Sequence, residues 1–511
     1  MRLETRTGGA ESGVRGWVTL ALLSLPVFAV AVDSSSLVIV LPTLSADLGA
    51  SSTEQLWIAD IYVFMLAGFL VAMGAFGDWV GQRKLLLVGA AVFSGTSFFA
   101  AFAQSVLMLI IARAVMGLAG SVIMALSLGL IGTTFSDRRR RGVGIATRTC
   151  AMLAGAAAGP PLGGFVAEQF WWGAVFLLNV PIMATLLIAG RFLLSDKRVA
   201  GASKPDLVSA VLAVSSVLIA VYGIKEFARY GPGAPPAVAI LAGVAGAVVF
   251  FLRQRGCADP LFDFGILRDR SVTVVSAAML LGGLVLGGAA FFVPLFVQMV
   301  RGFSPAESGL SLIPNVLLTI VASIMAARLI VRYSATTLLL IALICAMSGC
   351  FAFCLARNPG SLLLVYAGYA LISLGVTPVM VLGTNLIMGA VPAAKTGMAA
   401  SIVTTNGNLG GALGLALLGA AGSAAYRSGL AVPASVPADA VAAARDGISG
   451  AVVSAQRLPP KDAEALLDSA HLSFMKAINV VGLAGIALCA VCAVLVVTVF
   501  AADQRRKMAS P

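Results

Sequence analysis

The chain has 511 residues, of which 59% are hydrophobic and 11% charged, and its mean hydropathy is +1.00. A soluble domain cannot hide that much apolar surface, so the chain reads as an integral membrane protein. The net charge of +12 does not point to nucleic acid, because the basic residues sit in short clusters between apolar runs and read as membrane-orienting charges.

About fourteen stretches reach the roughly 20 residues that cross a bilayer. They lie near 17–41, 55–77, 85–103, 106–135, 142–167, 173–194, 207–224, 236–252, 271–298, 308–329, 336–356, 362–390, 398–424 and 476–502. The first is too long for a signal-peptide core and lacks an A-x-A-like cleavage site, so it is expected to remain as an anchor. With the N-terminus inside, the cytoplasmic segments collect Arg2, Arg6, Arg15, Arg83, Lys84, Arg138 to Arg141, Lys197, Arg198, Lys204, Arg253, Arg255, Arg268, Arg270, Arg328, Arg332, Lys395 and the basic tail Arg505 to Lys507. An even number of spans then returns the C-terminus to the cytoplasm. The long outer segment 426–474 contains Pro433, Pro437, Pro459 and Pro460. Within it Lys461 to Lys476 has helical periodicity, with Ala465, Leu466 and Leu472 on one face and Asp462, Glu464 and Asp468 opposite, so short helices lying on the outer surface are expected. His471, the only histidine, reads as a surface residue.

Three motifs stand out. Span 2 ends in Gly74-Ala-Phe-Gly-Asp78-Trp-Val-Gly81-Gln-Arg83-Lys84, where small residues let helix ends approach and an acid faces a basic turn. Span 4 carries Arg113-Ala-Val-Met-Gly117. An arginine inside a span costs roughly 2.5 to 3.5 kcal/mol on insertion scales unless it has a partner or water, which makes it a functional candidate. Span 5 carries Gly155-Ala-Ala-Ala-Gly-Pro-Pro-Leu-Gly-Gly, ending at Gly164. In lipid, Gly155, Gly159 and Gly163 form a small-residue stripe that admits another backbone, and neighbouring helices satisfy the carbonyls freed by Pro160 and Pro161. Plain helix packing would use the same stripe.

The first motif resembles the loop signature of the major facilitator superfamily, G-x-x-x-D-x-x-G-x-R-K, in which Asp78 would latch a cytoplasmic gate against nearby charges or helix ends. The second resembles the family's intramembrane arginine motif, with Met116 where Gln is usual. The third matches its antiporter signature, G-x-x-x-G-P-x-x-G-G. Trp171-Trp172 through Phe176-Leu-Leu-Asn179-Val-Pro181, and the run Asp33 to Pro42 with Trp57 and Tyr62, resemble the fourteen-span drug:proton antiporter branch. The chain is similar to Qac-type multidrug exporters. The resemblance implies an all-α membrane protein of two six-helix bundles, residues 1–200 and 271–511, the second including the outer loop 426–474. The helix pair of spans 7 and 8, with a cytoplasmic loop, would be inserted between them at 201–270. A substrate site near the membrane midplane, exposed alternately to the two sides, goes with that fold.

Proton coupling calls for a carboxylate at lipid depth, because burial raises a carboxyl group's affinity for protons and a nearby cation lowers it again. No Asp or Glu occurs between Glu307 and Asp439, so spans 10 to 13 supply none. Asp33, Asp60 and Glu168 remain. At 1.5 Å per residue, Asp33 lies about 12 Å and Arg113 about 10 Å from the outer ends of their spans, level enough for a direct or water-bridged pair. Ser36 shares the face of Asp33. Asp60 is shallower, a vestibule residue or a cap, and Glu168 reads as an interface acid. Arg148, inside span 5, either snorkels to the cytoplasm or faces a cavity and repels cationic drugs.

The expected proton-coupling residues are therefore Asp33, Arg113 and Asp60. The gating motif is Gly74, Asp78, Gly81, Arg83 and Lys84, and the antiporter motif Gly155, Gly159, Pro160, Gly163 and Gly164. Candidate substrate contacts are Trp57, Tyr62, Phe291, Phe292, Gln298, Asn315, Asn385, Thr404 and Asn408. The expected function is proton-driven export of hydrophobic drugs, dyes or quaternary ammonium-type antiseptics across the plasma (inner) membrane, by a monomer with both termini cytoplasmic. Its partners are a cationic or neutral small molecule, protons and lipid, with no nucleic acid. No cofactor or metal is expected, since the proton gradient is the driving force. The alternatives are a dedicated exporter of one natural product, or a non-transporting receptor or scaffold. An ATP-driven pump is excluded by the lack of a G-x-x-x-x-G-K-[S/T] loop. One histidine and seven scattered cysteines, Cys257 among them in a basic loop, assemble no catalytic triad or metal cluster, so an enzyme is not expected.

Overall fold

The structure, a computed structural model, describes residues 7–135, 138–194, 206–231, 233–256, 269–330, 332–390, 396–432 and 436–509. Arg2, Arg6, Lys197, Arg198, Lys204, Arg268 and Lys395, which share in the orientation argument, lie outside them, as do Cys257 and Pro433.

The helices follow the apolar runs. They are α1 (Thr7–Leu48), α2 (Ser52–Val80), α3 (Gln82–Ala101), α4 (Val106–Thr134), α5 (Arg138–Gln169), α6 (Ala174–Leu177), α7 (Asn179–Leu193), α8 (Leu207–Tyr230) and α9 (Ala234–Gly256). There follow α10 (Arg270–Leu295), α11 (Pro305–Ser311), α12 (Ile313–Leu329), α13 (Ala335–Leu355), α14 (Leu362–Ala390), α15 (Thr396–Gly429), α16 (Ala438–Asp446), α17 (Ile448–Ala455) and α18 (Pro460–Ala509). Among the described residues, 14 helical segments are long and apolar enough to span a membrane, as expected. Span 6 opens with the single turn α6, and span 10 is divided into α11 and α12. The α10 ladder passes into a π-turn at Phe296–Val300 just after Pro294, whose missing N–H already interrupts the hydrogen bonding.

The outer segment departs from expectation. Short helices do form at α16 and α17, but Lys461 to Lys476 is the start of α18 and runs without a break into the last span. Its buried side chains are Leu466, Ala470, Ser473, Phe474 and Met475, whereas Ala465 and Leu472 are exposed, so the buried stripe is rotated from the predicted one. His471, expected at the surface, is half-buried, with Nε2 3.2 Å from the Met299 carbonyl oxygen.

The contacts divide the chain into two compact units. One comprises Met1–Val40, Ile61–Val211 and Pro305–Leu310, and the other Leu41–Asp60, Leu212–Ser304 and Ser311–Pro511. In the first, α3 packs on α4, α6 and α7, and α4 on α5. In the second, α10 packs on α14, α15 and α18, while α13 packs on α14 and α18, around fully buried Val275, Leu339, Leu382, Ile387 and Val496. The α8–α9 pair also closes on small residues: a Cβ at Gly243 would come within 2.6 Å of the Ala220 amide nitrogen. Outward-facing Val238, Leu241, Val244 and Val248 leave α9 with an apolar exposed face, suited to lipid.

Candidate functional site

Asp33 lies at mid-length of α1 and Arg113 two turns into α4. Their side chains meet directly, Arg113 Nη1 standing 2.5 Å from Asp33 Oδ2, with each side chain 1% exposed. The other carboxylate oxygen accepts from Asn179 Nδ2 at 3.0 Å. The guanidinium carbon sits 4.1 Å from the centroid of the Tyr62 ring and 5.8 Å from that of Phe176. Arg113 Nε has no hydrogen-bond partner. A charge pair taken out of water is tolerated only where partners replace hydration. Here one carboxylate, one amide and two aromatic faces do so. Tyr62, expected to contact substrate, is instead wholly buried against Arg113, and its hydroxyl donates to the Val30 carbonyl oxygen at 3.3 Å. Ser36 is buried and donates to the backbone oxygen of Asp33.

The glycine stripe of α5 lies on α1, along the turns that carry Asp33. A Cβ at Gly155 would strike the Phe28 carbonyl oxygen, one at Gly159 would strike Ser35 Oγ, and one at Gly163 would come within 2.5 Å of Ser36 Cβ. The second face of the same turn admits α11: Gly164 abuts the Pro305 carbonyl, and Gly309 abuts that of Pro160. Pro160 and Pro161 remain inside the helix. Glu168 is exposed and accepts from the Ala306 amide at 3.2 Å, capping α11, in keeping with an interface acid.

At the other end of α2, Gly81 takes a positive φ of 121°, which lets the chain turn at once into α3. Asp78, expected to meet charges or helix ends, accepts from Nε2 of Gln82, the first residue of α3, at 2.6 Å. Gln82 packs over Gly129 of α4, Gly74 faces Ala125, Arg83 donates to the Arg191 carbonyl, and Lys84 is exposed. Arg148 does not snorkel. It is 8% exposed and points into the bundle, donating to Ser127 Oγ at 2.9 Å and the Met124 carbonyl at 2.7 Å, all neutral partners.

Asp60 is not a vestibule residue either: it is 1% exposed and forms an ion pair with Lys225 of α8 at 2.7 Å. Lys225 Nζ also lies 4.0 Å from the centroid of the Trp57 indole. The other substrate candidates do not assemble into one cavity. Phe291 and Phe292 line a space of about 30 Å³, room for about one water. Gln298 is buried in the π-turn, Asn315 is half-buried with Oδ1 unpartnered, and Asn385 is exposed with its amide turned back on the Val381 carbonyl. Thr404 and Asn408 are half-buried one turn apart on α15. A cavity of about 340 Å³ opens between the 45–55 turn and α16–α17, lined by Ser45, Gln55, Asp439, Ser449 and Arg457, and none of the candidates reaches it.

Sequence reasoning missed Lys225 and the role of Asn179. The Lys225-Glu226 pair closes the apolar run of span 7 and so reads as a boundary signal. Asn179 stood out only as part of the Trp171–Pro181 stretch.

The model of the Major Facilitator Superfamily matches residues 23–415. The chain is 36% identical over 476 residues to the multidrug efflux pump LfrA of Mycolicibacterium smegmatis, covering 93% of this chain and 94% of that one. It is 30% identical to the methyl viologen resistance protein SmvA of Salmonella typhimurium, covering 90% and 93%. It is also 30% identical to the tetracenomycin C resistance and export protein of Streptomyces glaucescens, covering 92% and 89%. Among solved structures, an inward-facing, occupied bacterial homologue of the human lysosomal transporter Spinster superposes with a TM-score of 0.63 at 15% identity, covering 96% of this chain and 97% of that one, which speaks to the fold alone. With its fourteen apolar helices, its motifs in place and a family match over most of its length, the chain belongs to the Major Facilitator Superfamily.

Proposed function

We propose that the protein is a proton-coupled antiporter that exports hydrophobic drugs, dyes or quaternary ammonium-type antiseptics across the plasma membrane by alternating access. The observation that carries this reading is the Asp33–Arg113 pair. A buried ion pair is poor value as a stabiliser, and an intramembrane charge marks a functional path. Protonating Asp33 removes the charge that holds Arg113 and weakens the bond it accepts from Asn179, so proton occupancy is linked to the contacts of α1 with α4 and α7. The glycine stripe that seats α5 on the same turns of α1 gives that change a neighbour to act on. Efflux and export in the names of the relatives support the direction of transport.

In this reading the two termini are cytoplasmic, the two six-helix bundles lie at 1–200 and 271–511, and the α8–α9 pair lies within 201–270. A monomer handling a cationic or neutral substrate, with Asp78, Arg83 and Lys84 at the cytoplasmic gate, completes the proposal. The test is reconstitution in proteoliposomes with a trapped pH dye. Adding a lipophilic drug should drive proton movement in the wild type. A drug that moves without protons, or no movement at all, rejects the coupling.

A dedicated exporter of one natural product is the second reading, favoured by the export protein of Streptomyces glaucescens among the relatives. Efflux of a broad panel of unrelated dyes separates the two, since a dedicated exporter moves one class only.

A further inference from the structure

Helix α8 carries no charge from Leu207 to Ile224, and then places Lys225 where its side chain is 1% exposed. The ammonium rests against two groups of α2: the Asp60 carboxylate at 2.7 Å and the Trp57 indole face at 4.0 Å from the ring centroid. Trp57 and Asp60 are three residues apart and share a helix face. Beyond this contact neither Lys225 Nζ nor either oxygen of Asp60 has a hydrogen-bond partner.

A lysine fastened for stability would use its three N–H donors. Here the ammonium reaches no polar group besides Asp60, and it is held as a positive charge between a π-face and a carboxylate. Cations with no N–H at all, the quaternary ammonium and phosphonium ions, are recognised by the same two elements. Trp57 is only half-buried, so protein does not enclose it completely. Lys225 also lies near the end of α8, and its long stem lets the ammonium withdraw toward that end.

Building on the export reading, we propose that Trp57 and Asp60 form an organic-cation subsite that Lys225 occupies as a built-in competitor. A lipophilic monocation binds there by displacing the lysine ammonium. Lys225 thereby sets how strongly cations are held, and a neutral compound does not feel it.

Tetraphenylphosphonium binding to the purified full-length protein tests this. Lys225→Met should bind the probe about tenfold tighter than the wild type, the factor expected if the lysine holds the site about nine-tenths of the time. Adding Asp60→Asn to that variant should abolish the gain, and triphenylphosphine oxide, which is neutral, should bind all three proteins alike. Equal probe affinity in the wild type and Lys225→Met overturns the proposal, as does a gain that survives Asp60→Asn. A measurement on the wild type covers a variant that does not fold. Reductive dimethylation at Lys225, read by mass spectrometry, should run several-fold faster with saturating tetraphenylphosphonium, and an unchanged or slower rate overturns the proposal. A chain that shows these shifts but moves no protons in vesicles keeps the subsite and loses the antiport reading. The reverse pattern does the opposite.

Discussion

Asp33 spends both of its carboxylate oxygens, one on Arg113 at 2.5 Å and the other on Asn179 at 3.0 Å. A substrate cation or a proton that reaches Asp33 therefore competes with partners already held there. Asp33→Asn should abolish pH-gradient-driven efflux while drug binding partly persists. Leaving Arg113 buried and unpaired should cost about 3 to 5 kcal/mol, visible as a lower melting temperature. Asp33→Asn combined with Arg113→Met should recover much of that stability without recovering transport. Wild-type proton movement in Asp33→Asn would remove Asp33 from the coupling role.

Arg113→Ala should stop transport with a smaller effect on expression. Arg113→Lys should keep part of the activity, since the ion pair to Asp33 can re-form. It loses the planar stacking on Tyr62 and Phe176 that only a guanidinium provides. Dye efflux measured at matched membrane expression ranks the three proteins. Full activity in Arg113→Ala would make the charge structural.

Gly159→Leu should disrupt the seat of α5 on α1, because a side chain there collides with Ser35 and the Val32 carbonyl. Loss of both efflux and folded yield is expected, from overpacking of order 1 to 3 kcal/mol or more. Gly411→Ala is the control: its Cβ would meet nothing within 4 Å, and alanine favours a helix by about 1 kcal/mol. That variant should express as well as the wild type or better.

Monovalent lipophilic cations and neutral drugs should be exported better than bis-cationic biocides. Among the described residues the buried carboxylates are Asp33 and Asp60, each already paired with a cation, and Arg148 adds a buried positive charge on neutral partners. A second substrate charge thus finds no unpaired acid and bears the desolvation cost. Growth protection in a pump-deficient strain, comparing a monovalent dye with a divalent biocide of equal hydrophobicity, checks this. Arg148→Gln should narrow the gap, and equal protection in the wild type would overturn it.

The elements that were readable from the chain share one property: their signal is local. Twenty-residue apolar runs announce spans, and small residues four apart announce the α5 stripe. The Asp33–Arg113 pairing was within reach because depth can be counted along a helix from each end. Asp60 with Lys225 was not, because 165 residues separate the partners and nothing near either one encodes the other. The stacking of Tyr62 on Arg113 was hidden for a related reason. In a helix apolar on every face, periodicity does not tell a ring that stacks on an arginine from one that faces a cavity. The extent of α18 was hidden by Pro459 and Pro460, which read as loop, whereas Pro460 opens the helix at a position where proline is tolerated.

Helix α18 has 50 residues, about 75 Å at 1.5 Å per residue, against about 30 Å of hydrocarbon to cross. More than half of the rod therefore lies outside the hydrocarbon. Lys461 is exposed on its first turn. A spin label or fluorophore attached there rides on a stiff indicator needle with no flexible linker to average its position. A tilt of a few degrees inside the bilayer becomes a displacement of several ångströms at the tip, where it can be timed while the transporter turns over.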